Sequence, residues 1–203
     1  MKRGTKLLSL LAAGMLFAAL TGGCGSSDSG GADKTVKVGG LLEMTGGSAS
    51  FGISSKNGID LAFKDINAKG GVLGGKKLEL VVADTKSEAS EATNGMQKLI
   101  SQDGVAAVIG PNQSSAVIAA SAINNGAKVL GITPMGTNPD ITVNPADGKT
   151  RAYNYRACFI DPFQGTVMAS FAYNDLGVRK AAVLVDNTSD YSKGLAKFFT
   201  ENF

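Results

Sequence analysis

The sequence predicts an α/β fold in which a parallel sheet is flanked by helices, and two observations carry that reading. From Thr35 onward, short apolar runs alternate with amphipathic ones in regular order, the pattern of repeated strand-helix units. The run Val105 to Ile109 is nearly pure Val, Ala and Ile, as expected of a strand covered on both faces. Right-handed crossovers would then gather the loops that follow each strand along one edge, where open α/β sheets take their ligands.

Each element follows from its own pattern. Val36 to Leu42 reads as the first strand, and Ser54 to Lys69 as a helix with Ile59, Ala62, Phe63 and Ile66 on one face. Leu78 to Ala83 is the second strand. Ser87 to Gln102 is the next helix, with Ala92, Met96, Leu99 and Ile100 aligned. After the strand Val105 to Ile109, Ser114 to Asn125 is helical along Ala116, Ala119, Ala120 and Ile123, and Gly126 is expected to stop it. Val129 to Ile132 is the fourth strand. A Pro, Gly and Asn-rich loop runs from Thr133 to about Arg151. Beyond it, Tyr153 to Ala157 reads as a strand and Pro162 to Leu176 as a helix with Phe163, Val167 and Phe171 along one side. Lys180 to Val185 reads as a strand, and Tyr191 to Phe203 as a helix. A second series of strand-helix units thus begins without closing a sheet, as expected of part of a longer, two-lobed protein. No repeat of solenoid period is present.

The first residues have a different character. Lys2, Arg3 and Lys6 precede a mostly apolar run from Leu7 to Leu20, followed by Thr21-Gly22-Gly23-Cys24. That is the plan of a secretory signal peptide, and the run falls short of the roughly 20 residues of a spanning helix. The ending resembles a bacterial lipobox, in which the cysteine is lipidated and becomes the new N-terminus, although Thr21 stands where that pattern prefers Leu and Leu20 lies one place earlier. The alternative is an ordinary signal peptide cut near Gly23 that leaves a free thiol. Residues 25–32, all Gly, Ser, Asp and Ala, then form a flexible tether. The expected organisation is a signal peptide over 1–23, a lipidated N-terminus and tether over 24–34, a first lobe over 35–157 and the start of a second over 158–203.

Composition excludes several chemistries. The first 23 residues hold three of the 20 Lys and Arg and none of the 17 Asp and Glu, so the remainder balances at 17 of each sign and gives no support to nucleic-acid binding. The chain has no histidine, and its two cysteines are Cys24 and Cys158. His/Cys metal sites and Ser-His-Asp or Cys-His catalysis are therefore excluded within it, and no intramolecular disulfide is expected. Cys158, between Ala157 and Phe159, reads as a small buried side chain. Gly70 to Lys76 fits G-x-x-x-x-G-K, but it follows a helix and precedes a strand, the reverse of a phosphate loop; it reads as a turn. Asp84, at the end of the second strand, reads as a cap for the next turn rather than a general base.

One stretch stands apart. In "VIGPNQSSA", Val108 to Ala116, a buried strand turns on Gly-Pro and ends in two hydroxyls, Ser114 and Ser115, at the start of a helix. Free N–H groups and the helix dipole favour an anion there, whereas a serine that merely capped its own helix would be ordinary. The cluster Thr133-Pro134-Met135-Gly136-Thr137-Asn138-Pro139 follows the next strand and lies on an adjacent loop. Together the two clusters are suited to hold a carboxylate.

The segments "VGGLLEMTGGSASFG", "DINAKGG", "LELVVAD", "VAAVIGPNQSSA", "ITPMGTNPD" and "IDPFQG" resemble, in order, the substrate-binding proteins of branched-chain amino-acid ABC importers. The resemblance runs from about Val36 to Phe203. It implies a type I periplasmic-binding-protein fold, with the first lobe largely present and the second truncated. It also implies that Ser114 and Thr137 hold the ligand carboxylate, that backbone groups of Asn112, Gln113, Met135 and Gly136 flank it, and that aromatic rings of Phe51 and Tyr191 close over it. The family's acidic partner for the ligand ammonium would lie beyond Phe203. The implied protein is not an enzyme and needs no cofactor or metal. It is exported to the periplasm or cell surface, anchored through Cys24, usually monomeric, and partnered by an ABC permease and its ATPase subunits. The ligand class is a small amino acid or amide. The other reading is a ligand-sensing domain of the same fold, for amides or other small carboxylates, in a signalling or regulatory system.

Overall fold

The computed structural model describes residues 34–203; the expected export signal, Cys24 and the tether lie outside them. Five strands form one sheet: β1 (Thr35–Leu42), β2 (Lys77–Asp84), β3 (Ala107–Ile109), β4 (Leu130–Thr133) and β5 (Asn154–Arg156). Their spatial order is β2-β1-β3-β4-β5, and every pairing is parallel. All strand C-termini therefore meet one edge of the sheet. The helices are α1 (Ala49–Ala68), α2 (Ala89–Ser101), α3 (Ser114–Ala127), α4 (Asp161–Ser170) and α5 (Asp190–Asn202).

Successive strand residues face opposite sides of a sheet, and Leu41 and Leu42 are both fully buried, so β1 is covered on both faces. Each such leucine contributes roughly 1.5–3 kcal/mol of burial. The largest cluster joins Leu41 and Val108 of the sheet to Ala92, Met96 and Leu99 of α2 and to Ala116 and Ala120 of α3. On α1, Ile59 is buried and Phe63 and Ile66 are half-buried, while Ala62 is exposed.

Several expectations are corrected. Helix α1 begins at Ala49 rather than Ser54, because Gly52 lets its first turn lie directly on the Glu43 backbone; a Cβ there would run into the Glu43 carbonyl. Helix α3 passes through Gly126 and ends at Ala127, where Lys128 adopts the left-handed conformation with φ 57° and returns its N–H to the last carbonyls. The α3 core face is turned so that Val117, Ser121 and Asn124 are buried and Ala119 is exposed.

The helix expected over Pro162 to Leu176 is α4 followed by a widened π turn, Phe171–Asp175. Its buried side is Asp161, Gly165 and Ala169, whereas Phe163 is 61% exposed and Val167 and Phe171 are about half exposed. Gly165 decides this: the bare backbone lets α5 approach that side, with Phe198 where a Cβ would stand. Lys180 to Val185 is not a strand, and Leu184 is fully exposed. A strand is held by a neighbour's ladder, and among the described residues no strand pairs with this segment. The glycine run after α1 is a turn closed by an antiparallel bridge between Val72 and Lys76. Among the described residues no helix is long and apolar enough to cross a membrane.

Candidate ligand-binding site

At the edge where the strands end, the loops after β1, β2, β3 and β4 and the start of α5 surround a cleft of about 730 Å³, within the usual range for small-molecule sites. The parallel sheet dictates the location: β3 delivers the chain to Asn112 and the start of α3, and β4 delivers it to Met135 and Thr137. Ser114 and Thr137 both line the cleft and are both buried, at 3% and 5% exposure. Asn112, Gln113 and Met135 line the same wall, and Phe51 and Tyr191 contribute rings from α1 and α5.

Gly136 stands apart from the lining. Its N–H donates to Thr133 Oγ1 at 2.9 Å, and its carbonyl accepts from Arg156 at 3.1 Å and from the Cys158 thiol at 3.4 Å. Burial pushes the Cys158 thiol up, despite the opposing charge of Arg156, which suits the inert role expected of it.

The hydroxyls of α3 are deployed away from their own helix. Ser114 Oγ accepts the Asn138 N–H at a long 3.4 Å, and Ser115 Oγ accepts the Asp190 N–H at 2.9 Å. The Asn138 side chain also donates to the Asp190 carbonyl at 2.9 Å. The β4 loop and the start of α5 are thereby tied to the start of α3. Thr137 Oγ1 is buried and has no hydrogen-bond partner among the described residues. A buried hydroxyl left unpaired in this way costs about 1–3 kcal/mol, and it lies at the wall of a ligand-sized cleft.

Glu43 was not legible as a site residue. It is fully buried, and its carboxylate accepts the backbone N–H groups of Asn112 and Gln113 at 3.0 and 3.2 Å and the Asn112 side-chain amide at 2.7 Å. Those two backbone donors, which would otherwise face an anion, are thus committed to an internal carboxylate. Ser55 donates to Asn112 Oδ1 at 3.0 Å, and Gln113 donates to Ser48 Oγ at 2.9 Å. Phe159 and Gln164 also line the cleft; Gln164 donates to the Tyr191 hydroxyl at 3.2 Å. The sequence signal for Glu43 was a lone charge ending an apolar strand; Phe159 and Gln164 had none.

Asp84 proves to be a loop clamp outside the cleft lining. It accepts N–H groups of Met44, Thr45 and Lys86 and the Thr45 hydroxyl, at 2.7–3.2 Å. Partial burial raises its carboxyl, but those hydrogen bonds outweigh it and hold the group below the ordinary carboxylate value. Among the described residues no cluster of His, Cys, Asp and Glu could hold a metal ion.

A polar cleft at the carboxyl edge of a parallel sheet is where open α/β folds take small ligands, and the chain belongs to the periplasmic binding protein family, whose pattern matches residues 35–203. The fold is that of the type I periplasmic-binding proteins, and the likeness to the branched-chain amino-acid substrate-binding proteins of ABC transporters holds. An amino acid binding protein of Pseudomonas aeruginosa is 37% identical over 183 residues, 90% of this chain and 46% of that protein. The leucine-binding protein LivK of Thermotoga maritima shares 41% identity at a TM-score of 0.76, over 83% of this chain and 45% of its own. The branched-chain amino acid transporter substrate-binding protein LivJ of Streptococcus pneumoniae, solved with isoleucine, shares 37% identity at a TM-score of 0.76, over 83% of this chain and 47% of its own. The chain thus spans about half the length of the relatives it matches.

Proposed function

We propose that this protein is the non-enzymatic receptor of an ABC importer, which captures a branched-chain or similar small amino acid in the cleft and delivers it to a membrane permease driven by its ATPase subunits. The single observation that carries this reading is the Thr137 hydroxyl, buried at the cleft wall with no hydrogen-bond partner among the described residues, near Ser114 at the start of α3. A ligand carboxylate satisfies that hydroxyl and lies near the positive end of the α3 dipole. The rings of Phe51 and Tyr191 then cover an aliphatic side chain, and Met135, 43% exposed at the cleft, limits its size. The receptor acts outside the cytoplasm, with residues 1–23 as export signal and a lipidated Cys24 as membrane anchor. Its two lobes, 35–157 and from 158 onward, close around the ligand by hinge motion.

The test is a thermal-shift screen of the protein, lacking residues 1–23, against common amino acids, short amides and small aromatic acids. Ligand binding to the folded state raises the melting temperature by mass action. A rise with leucine, isoleucine or valine that disappears in Ser114→Ala and Thr137→Ala supports the reading. A rise confined to amides or aromatic acids overturns the amino-acid assignment. Labelling of the cell-expressed protein with a fatty-acid probe, lost in Cys24→Ala, tests the anchor.

A further inference from the structure

The two edges of the sheet differ in charge. Where β1 to β3 end, at the cleft, Glu43, Asp84 and Glu88 stand against Lys86. Where β1 to β4 begin, the first residues of the strands, the last turns of α1 to α3 and the loops between them hold Lys37, Lys69, Lys76, Lys77, Lys98 and Lys128. The acids of that region are Asp65, Glu79 and Asp103. Asp103 is paired with Lys98 at 2.7 Å, and the Lys77 ammonium donates to the Asn67 carbonyl. Lys69, Lys76 and Lys128 enter none of the ion pairs among the described residues.

A cation at a helix C-terminus complements the dipole, which accounts for Lys69 and Lys128 one at a time. It does not account for Leu73. That residue sits in the turn between α1 and β2, 78% exposed and in the left-handed conformation with φ 46°, where a bulky side chain is an outlier. Gly70, Gly71, Gly74 and Gly75 around it also take positive φ, and the bridge between Val72 and Lys76 closes the turn. Glycine would fit the Leu73 position at less cost. A large apolar side chain held in solvent between Lys69 and Lys76 contributes little to the packing of the described residues.

The turn lies beside the point where the chain enters the sheet, since Thr35 pairs with Lys77. Thr35 is eleven positions after Cys24, and at no more than about 3.6 Å per residue the start of β1 stays within about 40 Å of that cysteine. The starts of β2 and β4 stand three strand spacings apart in the sheet, about 14 Å, so the basic edge is broad enough to lie on a surface. An anionic lipid surface strengthens adhesion by about fivefold for each lysine close to it, and an apolar side chain enters the headgroup layer while lysine ammonium groups stay among the phosphates. A tether makes the contact intramolecular, so weak adhesion is enough.

We propose that the edge where the strands start, with Lys69, Lys76, Lys128 and the exposed Leu73, is an adhesion surface for the anionic lipid membrane that holds the Cys24 anchor. The inference rests on the reading of Cys24 as lipidated. Adhesion through this edge turns the opposite edge, and with it the cleft, toward the medium from which solute is captured.

The chain has no tryptophan, so Leu73→Trp introduces a single fluorescent reporter. The protein lacking residues 1–23 is coupled through the Cys24 thiol to a maleimide lipid in vesicles, with Cys158→Ser to keep the coupling unique. On phosphatidylglycerol vesicles the emission is expected to shift to the blue and to be quenched by brominated lipid. On phosphatidylcholine vesicles no such change is expected, nor on either lipid with Ser50→Trp, at the cleft end of α1, as the reporter instead. Lys69→Gln combined with Lys76→Gln is expected to weaken adhesion by about 25-fold. Amine labelling read by mass spectrometry, with Leu73 left in place, is the second measure. Lys69, Lys76 and Lys128 are expected to react more slowly on phosphatidylglycerol than on phosphatidylcholine, and Lys86 equally on both. Absence of quenching together with unchanged labelling overturns the inference, as does equal adhesion to phosphatidylcholine or quenching of the Ser50→Trp reporter. Because the vesicle coupling is chemical, such a result leaves the anchor reading standing; a Cys24 that takes no fatty-acid probe in cells overturns that reading, and this inference with it.

Discussion

The carboxylate of Glu43 accepts both the backbone N–H and the side-chain amide of Asn112, at 3.0 and 2.7 Å, although 69 residues separate the two in sequence. The end of β1 thereby dictates the path of the loop that carries β3 into α3. Replacing Glu43 by alanine leaves buried donors unpaired, and chemical denaturation is expected to show a loss of about 3 kcal/mol or more. Glu43→Gln keeps an acceptor and is expected to lose less. An alanine variant as stable as the parent would show that the clamp contributes nothing.

Ser115 ties the start of α5 to the start of α3 through the Asp190 N–H. Ser115→Ala removes that acceptor at a cost of about 1 kcal/mol, concentrated at one place. Hydrogen exchange followed by mass spectrometry is expected to accelerate over residues 186–192 while the β1 to β3 core keeps its protection. Uniform acceleration throughout would instead mean general destabilisation.

Asp84 carries a pH signature. Its folded-state carboxyl lies below the ordinary value because of the hydrogen bonds from Met44, Thr45 and Lys86, so its contribution is present above the unfolded value of about 3.9 and is lost as pH falls through the folded one. Acid unfolding of Asp84→Asn, monitored by circular dichroism, is expected to be less steep below about pH 4, starting from a lower stability at neutral pH. An unchanged acid limb would mean that other carboxylates dominate it.

Gly165 permits the contact between α4 and α5: an added Cβ would stand 2.7 Å from the Phe198 Cβ and 2.8 Å from its backbone. Gly165→Ala is expected to lower stability by about 1–3 kcal/mol, and Gly58→Ala, at an open position of α1, to leave it unchanged or raise it slightly. Melting temperatures of the two variants side by side are the measurement; equal values would refute the packing argument.

The sheet was legible because a parallel strand and an amphipathic helix each write their burial into a local period, as Val105 to Ile109 and Ala92, Met96 and Leu99 do. Lys180 to Val185 has the same strand-like composition, yet composition cannot supply a pairing partner. The stripe Phe163, Val167 and Phe171 is exposed among the described residues, while α5 packs on the other side of α4, where Gly165 admits it. Within the cleft, the hydroxyl clusters that contain Ser114 and Thr137 could be placed because both lie in loops that follow strands, while the choice of those two residues came from the family resemblance. Glu43 and Gln164 act across 69 and 27 residues, and no window of sequence contains both ends of such a contact.

The strand order β2-β1-β3-β4-β5 also sets how this chain must acquire its structure. Among the described residues no two strands are joined by a hairpin; every pairing requires the intervening chain to be traversed first, and β1 has both its neighbours downstream. Loop-closure entropy must be overcome before any ladder rewards it, so the sheet assembles slowly and the first strand waits longest. For a chain exported as proposed above, a sheet whose ladders all close across long loops is compatible with passage through a narrow translocation channel ahead of folding.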